Sequence, residues 1–298
     1  MIQQLNRTKK IIAILLNKEI RCNNGNYFFI IGSGRCGSTL LRVILERNPE
    51  ISVLPEISMA LPRVTDLFIA NKKKTYEEHI ALFYQEYSSE ENWDALGIDY
   101  EDIRRNLTRA NKPVPDFIKA IHQSYSEKQN KTALIFGDKH PYLTFHIPYL
   151  FSIFPRAKFI HLIRDGRDVA CSWNRTKGLE MPLLEAAKRW NWALKEVERF
   201  KFLIKKNLIE LSYETLVAQP ERTIRQICKF LGVSYSKELL SSENNRSTKE
   251  IGVGHHENAV KEISTTSFGK WKRTLSETEM DLIMSILKKR LIKYNYFE

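Results

Sequence analysis

The sequence has 298 residues and carries 47 Lys and Arg against 35 Asp and Glu, a formal net charge of +12, with 43% hydrophobic and 28% charged residues. These proportions exclude a disordered tail, a collagen and a disulfide-stapled miniprotein. They give enough apolar material for one large domain or two small ones. The excess positive charge favours anionic partners: nucleic acid, acidic lipid or a small polyphosphate-like ligand. Runs such as Lys72-Lys73-Lys74 and Lys288-Lys289-Arg290 read as solvated faces. Cys22, Cys36, Cys171 and Cys228 form no C-x-x-C pair, and the seven histidines show no H-E-x-x-H spacing. Neither a zinc site nor a disulfide framework is indicated. The longest early apolar run, residues 11–16, is far short of the roughly 20 residues of a membrane span and has no signal-peptide cleavage site. A cytoplasmic chain with reduced thiols is the expectation.

No internal repeat, low-complexity tract or Gly/Ser-rich linker interrupts the sequence, so a single domain over 1–298 is the economical reading. Short runs rich in β-branched and aromatic residues predict strands at 27–31, 51–54, 132–136, 158–163 and 208–211. Helical patterns separate most of them, which predicts an α/β fold: a central parallel sheet of about five strands flanked by helices. A helix over 40–47 stops before Asn48-Pro49, and a long amphipathic helix spans 183–206, with Trp190 and Trp192 read as core. Another helix follows Pro220 and ends at Gly232, and Ser276-x-x-Glu279 opens the last one as a capping box. Residues 65–131 look helical and polar, interrupted by Pro113 and Pro115, and read as an insertion that covers the sheet edge and shapes substrate choice.

Directly after the first predicted strand stands Gly32-Ser33-Gly34-Arg35-Cys36-Gly37-Ser38-Thr39, followed by a helix. Strand, glycine-rich turn and helix N-terminus together offer several backbone N–H groups and the positive end of a dipole to one anion. The spacing is that of a Walker A loop, but Ser38 occupies the position of its lysine. No convincing acidic partner for magnesium is evident either, so nucleoside triphosphate hydrolysis becomes the minor alternative. Arg35, inside the loop, can donate to the terminal group of a phosphoanhydride-like ligand. A second anion site is read at residues 154–168, a buried strand ending in Arg164-Asp165-Gly166-Arg167-Asp168. Arg164 sits at the carboxyl end of that strand, where ligands of open parallel sheets bind, and Ser172 follows eight residues later. An Arg–Asp pair capping a helix explains that turn alone equally well.

Taken together, these two motifs resemble those of sulfotransferases that use 3′-phosphoadenosine-5′-phosphosulfate (PAPS). Gly34-Arg35-Cys36-Gly37-Ser38-Thr39-Leu40 is similar to the family's 5′-phosphosulfate loop, and residues 154–172 to its 3′-phosphate motif, with the Arg164-to-Ser172 spacing kept. The resemblance is closest to the tyrosylprotein sulfotransferase branch and its bacterial relatives and runs from about residue 28 to the end. Val53-Leu54-Pro55-Glu56 resembles the turn that holds the family's catalytic glutamate, Asp138-Lys139-His140-Pro141 its active-site lysine motif, and Tyr213-Glu214-Thr215-Leu216 its adenine-side tyrosine motif. Lys261, ten residues before Trp271, is similar to its C-terminal lysine.

The resemblance implies a sulfotransferase fold with a nucleotide-covering loop at about 242–272. It implies an O-sulfotransferase that moves a sulfuryl group in line from PAPS to an acceptor hydroxyl, leaves 3′-phosphoadenosine-5′-phosphate (PAP), and needs no metal. Glu56 would be the general base, with His140 as the competing base, and Arg35 and Lys139 would stabilise the transferring group. Gly34 to Thr39 (Gly34, Arg35, Cys36, Gly37, Ser38, Thr39), with Arg164, Ser172, Tyr213 and Lys261, would bind the nucleotide. Trp271 reads equally as a core anchor or a base-stacking residue. The branch has a basic residue where this chain has Thr176, and residues 245–260, with His255-His256, are longer than their counterpart. The acceptor implied is a peptide tyrosine ahead of a glycan, lipid or small metabolite, and a homodimer is open. A P-loop kinase or NTPase predicts magnesium-dependent ATP binding, and a non-catalytic binder of nucleic acid or acidic membrane predicts steep salt dependence. No nucleic-acid-reading motif supports the latter.

Overall fold

The computed structural model describes residues 2–23, 25–57, 60–90, 92–109, 112–178, 180–241 and 263–296. In chain order these form α1 (Ile2–Leu16), β1 (Tyr27–Ile31), α2 (Ser38–Glu46), β2 (Ile51–Val53), α3 (Ala60–Ala70), α4 (Tyr76–Ser88), α5 (Tyr100–Asn106) and α6 (Pro113–Lys128). Then come β3 (Ile135–Lys139), α7 (Ile147–Ile153), β4 (Lys158–Ile163), α8 (Gly166–Arg175), α9 (Leu183–Ile204), β5 (Leu208–Ser212), α10 (Tyr213–Ala218), α11 (Pro220–Leu231) and α12 (Glu277–Lys293). The strands make one five-stranded parallel sheet in the order β2-β3-β1-β4-β5. Ile51 pairs with Ile135 and Val53 with Gly137. This is the α/β class that the alternation of strands and helices predicts.

The chain divides into two compact units, one of residues 1–29, 49–159 and 202–207, the other of 30–48, 160–201 and 208–298. In the first, the rings of Tyr27, Phe29, Phe136, Phe154 and Phe159 interlock with centroids 4.3 to 5.9 Å apart, in the offset and tilted geometries that aromatic quadrupoles favour. Helices α3 to α6 belong to this unit, as the helical reading of 65–131 requires. In the second, Val169, Ala170, Ala186, Ala187, Trp190, Leu194, Ile283, Leu287 and Leu291 form a buried cluster from α8, α9 and α12. Its members on α9 recur at three or four residues, the stripe that a 3.6-residue period turns to one side.

Three expectations are corrected. The third strand lies at 135–139 rather than 132–136, because Asp138 and Lys139 are buried to 3% and 1% exposure and an apolar pattern does not count charged residues as strand interior. Trp192 is 47% exposed while Trp190 is fully buried: two residues apart on a helix is about 200° of rotation, so both cannot face one core. Pro113 and Pro115 interrupt nothing. They stand in the first turn of α6, where a proline's missing N–H has no intrahelical acceptor to lose. The helix over 2–16 has no counterpart in the sequence reading.

Candidate active site

Each strand of the sheet hands over directly to a candidate residue. Glu56 stands three residues after β2, Lys139 ends β3, the glycine-rich loop 32–37 follows β1, Arg164 follows β4, and Tyr213 follows β5. Short capped turns make these handovers. The side chain of Asp165 accepts the Arg167 N–H at the start of α8, Ser212 accepts the Thr215 N–H at the start of α10, and Gly37 opens α2. Side-chain caps of this kind contribute about 1 kcal/mol each and fix where the chain turns.

In the second unit the glycine-rich loop turns through left-handed backbone at Gly34 (φ 76°), Arg35 (φ 55°) and Gly37 (φ 91°). Gly37 is required by space as well as by φ, since a Cβ there would lie 2.3 Å from the Tyr213 ring. Tyr213 is buried, and the Arg164 guanidinium lies 4.6 Å over its ring. Arg164, 7% exposed, donates from Nη1 to the Arg35 carbonyl (3.0 Å) and from Nη2 to the Ser267 carbonyl (2.5 Å). Its Nε is buried and meets no acceptor among the described residues. Arg35 Nε donates to Ser172 Oγ (3.0 Å), and Arg35 Nη2 reaches Thr176 Oγ1 (3.4 Å). Thus Arg35, Gly37, Arg164, Ser172 and Tyr213 come together. Thr176, where the resembled branch is basic, hydrogen-bonds to the loop arginine, while Arg175 pairs with Glu279 at 3.3 Å. Cys36 is fully buried with its thiol pushed up by that burial, so it packs the loop rather than reacting. Ser38 is buried and Thr39 half-buried at the first turn of α2.

Two guanidiniums, a hydroxyl and a glycine-rich turn at the start of α2, with a buried N–H of Arg164 lacking an acceptor, suit a ligand bearing more than one anionic group. Arg35, Arg164 and Ser172 would hold those groups, and the Tyr213 ring offers an aromatic face beside them. No group of three or more His, Cys, Asp or Glu among the described residues is placed to hold a metal ion.

Other residues of this unit support the site in ways that the sequence reading does not assign. Asp168, fully buried, accepts the N–H groups of Gly269 (2.8 Å) and Trp271 (2.9 Å) and thereby fixes residues 267–271 near Arg164. Burial raises its carboxyl above the ordinary range, opposed by those two amides. Trp190 donates from Nε1 to the Arg164 carbonyl (3.0 Å). The sequence places Asp168 in the turn after Arg164 but carries no sign of these ties. Trp271, half-buried, lies under the Arg167 guanidinium at 3.9 Å, so it is not a core anchor. Lys261, with His255 and His256, lies outside the described residues.

In the first unit, Lys139 is 1% exposed and its Nζ forms an ion pair with Glu56, whose side chain is 24% exposed. Asn92 donates to the Glu56 carbonyl (3.2 Å). A partly exposed carboxylate held by a buried ammonium is a fixed acceptor that a substrate proton can reach. His140 caps the turn that follows β3: its Nδ1 accepts the Tyr142 N–H (3.2 Å), and its ring stacks on Tyr142 at 5.4 Å. His140 is thus an oriented turn residue, with one ring nitrogen engaged.

A family model described as "Sulfotransferase family" matches residues 28–237. Protein-tyrosine sulfotransferase A of Caenorhabditis elegans is 26% identical over 279 residues, covering 88% of this chain and 66% of that protein. Protein-tyrosine sulfotransferase 2 of Gallus gallus is 24% identical, covering 88% and 62%. The chain therefore spans a little under two thirds of the length of these curated relatives. Among solved structures, the sulfotransferase domain of the Synechococcus PCC 7002 olefin synthase aligns with a TM-score of 0.60 at 24% identity, covering 89% of this chain and 95% of that one. The sulfotransferase domain from the curacin biosynthetic pathway aligns with a TM-score of 0.60 at 21% identity, covering 90% and 98%.

Proposed function

Because the chain belongs to the sulfotransferase family, we propose that it is an O-sulfotransferase that moves a sulfuryl group from PAPS to an acceptor hydroxyl. The observation that carries the reading is the cluster of Arg35, Arg164, Ser172 and Tyr213 around a phosphate loop with no lysine at position 38. A sulfuryl group carries less charge than a γ-phosphate, so guanidiniums and amides suffice where a kinase needs lysine and magnesium. Arg164 and Ser172 hold the 3′-phosphate, loop residues 34–39 and Arg35 the 5′-phosphosulfate, and Tyr213 flanks the adenine. When bound, the donor supplies a sulfuryl group already joined to a good leaving group. The acceptor oxygen bonds to sulfur as the bond from sulfur to the phosphate oxygen breaks, and the acceptor's proton passes to Glu56. Lys139 orients the Glu56 carboxylate and brings positive charge to the reacting groups. A peptide tyrosine is the acceptor class we favour, supported by the protein-tyrosine sulfotransferases that are 26% and 24% identical to the chain.

The test is calorimetric binding of PAP against ATP and AMP, with and without magnesium. Tight, metal-independent binding that requires the 3′-phosphate is expected. Preference for magnesium-ATP, or no nucleotide binding, overturns the proposal.

A further inference from the structure

The loops that carry Arg164 and Tyr213 are tied together by the carboxylate that follows Tyr213 and by a phenol from the C-terminal end of the described chain. Glu214, the residue after Tyr213, accepts the backbone N–H of Asp165, the residue after Arg164, at 3.0 Å on Oε1. Its Oε2 accepts the hydroxyl of Tyr296 at 2.6 Å. Tyr296 is itself anchored. Its N–H donates to the Leu291 carbonyl past the end of α12 (2.8 Å), its carbonyl accepts Arg167 Nη2 (2.6 Å), and its ring packs against the cluster of α8, α9 and α12. Arg167 also forks onto the Asp165 carboxylate, with Nη2 to Oδ2 at 2.7 Å. One carboxylate thus joins two strand-to-helix turns, and a residue 82 positions away holds it.

We propose that Glu214 and Tyr296 are positioning residues of the nucleotide site, holding the Tyr213 ring and the Arg164 guanidinium in their stacked arrangement. The role rests on the proposed nucleotide reading. The logic is geometric. Neither side chain needs to touch the ligand, yet each fixes the backbone beside a residue that does, and an interaction set before binding saves ordering cost at binding. Burial raises both the Glu214 carboxyl and the Tyr296 phenol, as a partly dehydrated pair requires.

Tyr296→Phe removes the hydroxyl and keeps the ring, and Glu214→Gln keeps the shape but can satisfy only one of the two donors. Each is expected to raise the Kd for PAP and the donor KM about tenfold, the order of one charge-assisted hydrogen bond, with kcat and the acceptor KM unchanged. In an Arg164→Ala background the Tyr296→Phe effect on PAP affinity is expected to shrink, because one of the two residues being positioned is gone. In the ligand-free protein, amide exchange at Asp165 is expected to quicken in Glu214→Gln. Unchanged PAP affinity in both single variants, a Tyr296→Phe loss that is undiminished without Arg164, or loss of kcat alone would each overturn the positioning role. A wild-type protein that fails to bind PAP overturns the nucleotide reading itself and removes the role with it. That failure is distinguishable, because it is seen before any variant is made.

Discussion

Replacing Gly37 by alanine separates the conformational from the packing demand on the phosphate loop. At φ 91° an L-residue is strained, at about 1–2 kcal/mol. The added Cβ would also lie 2.3 Å from Tyr213 Cδ2, against an ordinary contact of at least 3.4 Å, so the ring must retreat by about 1.1 Å (3.4 less 2.3). Overpacking of this size costs about 1–3 kcal/mol, and Tyr213 is a buried ring under a buried guanidinium, which leaves it little room. The total is about 2–5 kcal/mol of unfolding free energy. Gly178→Ala is the internal control: φ there is 81° and no atom of the described residues lies within 4 Å of a built Cβ, so only the conformational part, about 1–2 kcal/mol, should be lost. Urea unfolding followed by circular dichroism measures both variants, and calorimetry with PAP should show at least about a tenfold weaker Kd for Gly37→Ala alone, since a displaced ring carries the stacked Arg164 with it. Equal losses in the two variants, with PAP affinity intact in both, would refute the packing argument.

Glu56→Gln should lower turnover by about 10²- to 10⁴-fold while PAP affinity stays near wild type; a steady-state assay with labelled PAPS that finds full turnover removes the base role. Arg164→Ala should weaken PAP by about 10- to 100-fold, the worth of a charged hydrogen-bond donor, and weaken adenosine 5′-phosphate far less; equal losses would mean that Arg164 reads something other than the 3′-phosphate. The Glu210 carboxyl is held down to about 2, chiefly by the hydrogen bond to buried His161 and then by Lys201. Its folded pKa lies below the unfolded one, so its contribution is present above the usual carboxylate range of about 4.3 and is lost as pH falls toward 2. Glu210→Gln should therefore flatten the decline in stability between about pH 5 and pH 3; parallel declines in urea unfolding of variant and wild type would contradict the assignment.

What the sequence made legible was local. The loop after β1 can be read because its chemistry is contiguous: a strand, three glycines, an arginine and a helix start within about a dozen residues. Arg164 and Ser172 are legible for the same reason, as a strand end and the helix that follows. Buried charge in a strand is not: Lys139 is marked only by its resemblance to a motif, while the apolar pattern puts the strand three residues early because Asp138 and Lys139 break it. Non-local ties are invisible to pattern altogether. Glu214 and Tyr296 are 82 positions apart, and Asp168 holds backbone amides 101 and 103 positions away, with no periodicity to announce either. Trp192 shows the opposite failure, where residue type suggested core and helical phase decided otherwise.

The placement of buried ionic groups argues for a ligand independently of any resemblance. Arg164, Asp165 and Asp168 in one unit, and Asp138 and Lys139 in the other, are each 7% exposed or less, and all stand at or just beyond the carboxyl end of β4 or β3. Removing such groups from water costs several kcal/mol per ion, and apolar residues of similar volume would commonly stabilise a fold as well or better. Buried charge also occurs away from the strand ends, at Arg42, Glu46, Asp102, Asp116 and Glu196, but in each unit the strand-end groups stand where an open parallel sheet presents residues to ligands, and the Arg164 Nε remains without an acceptor among the described residues. Charges buried at a stability cost, oriented by partners, and left with an unused donor are what preorganised recognition of an anion requires.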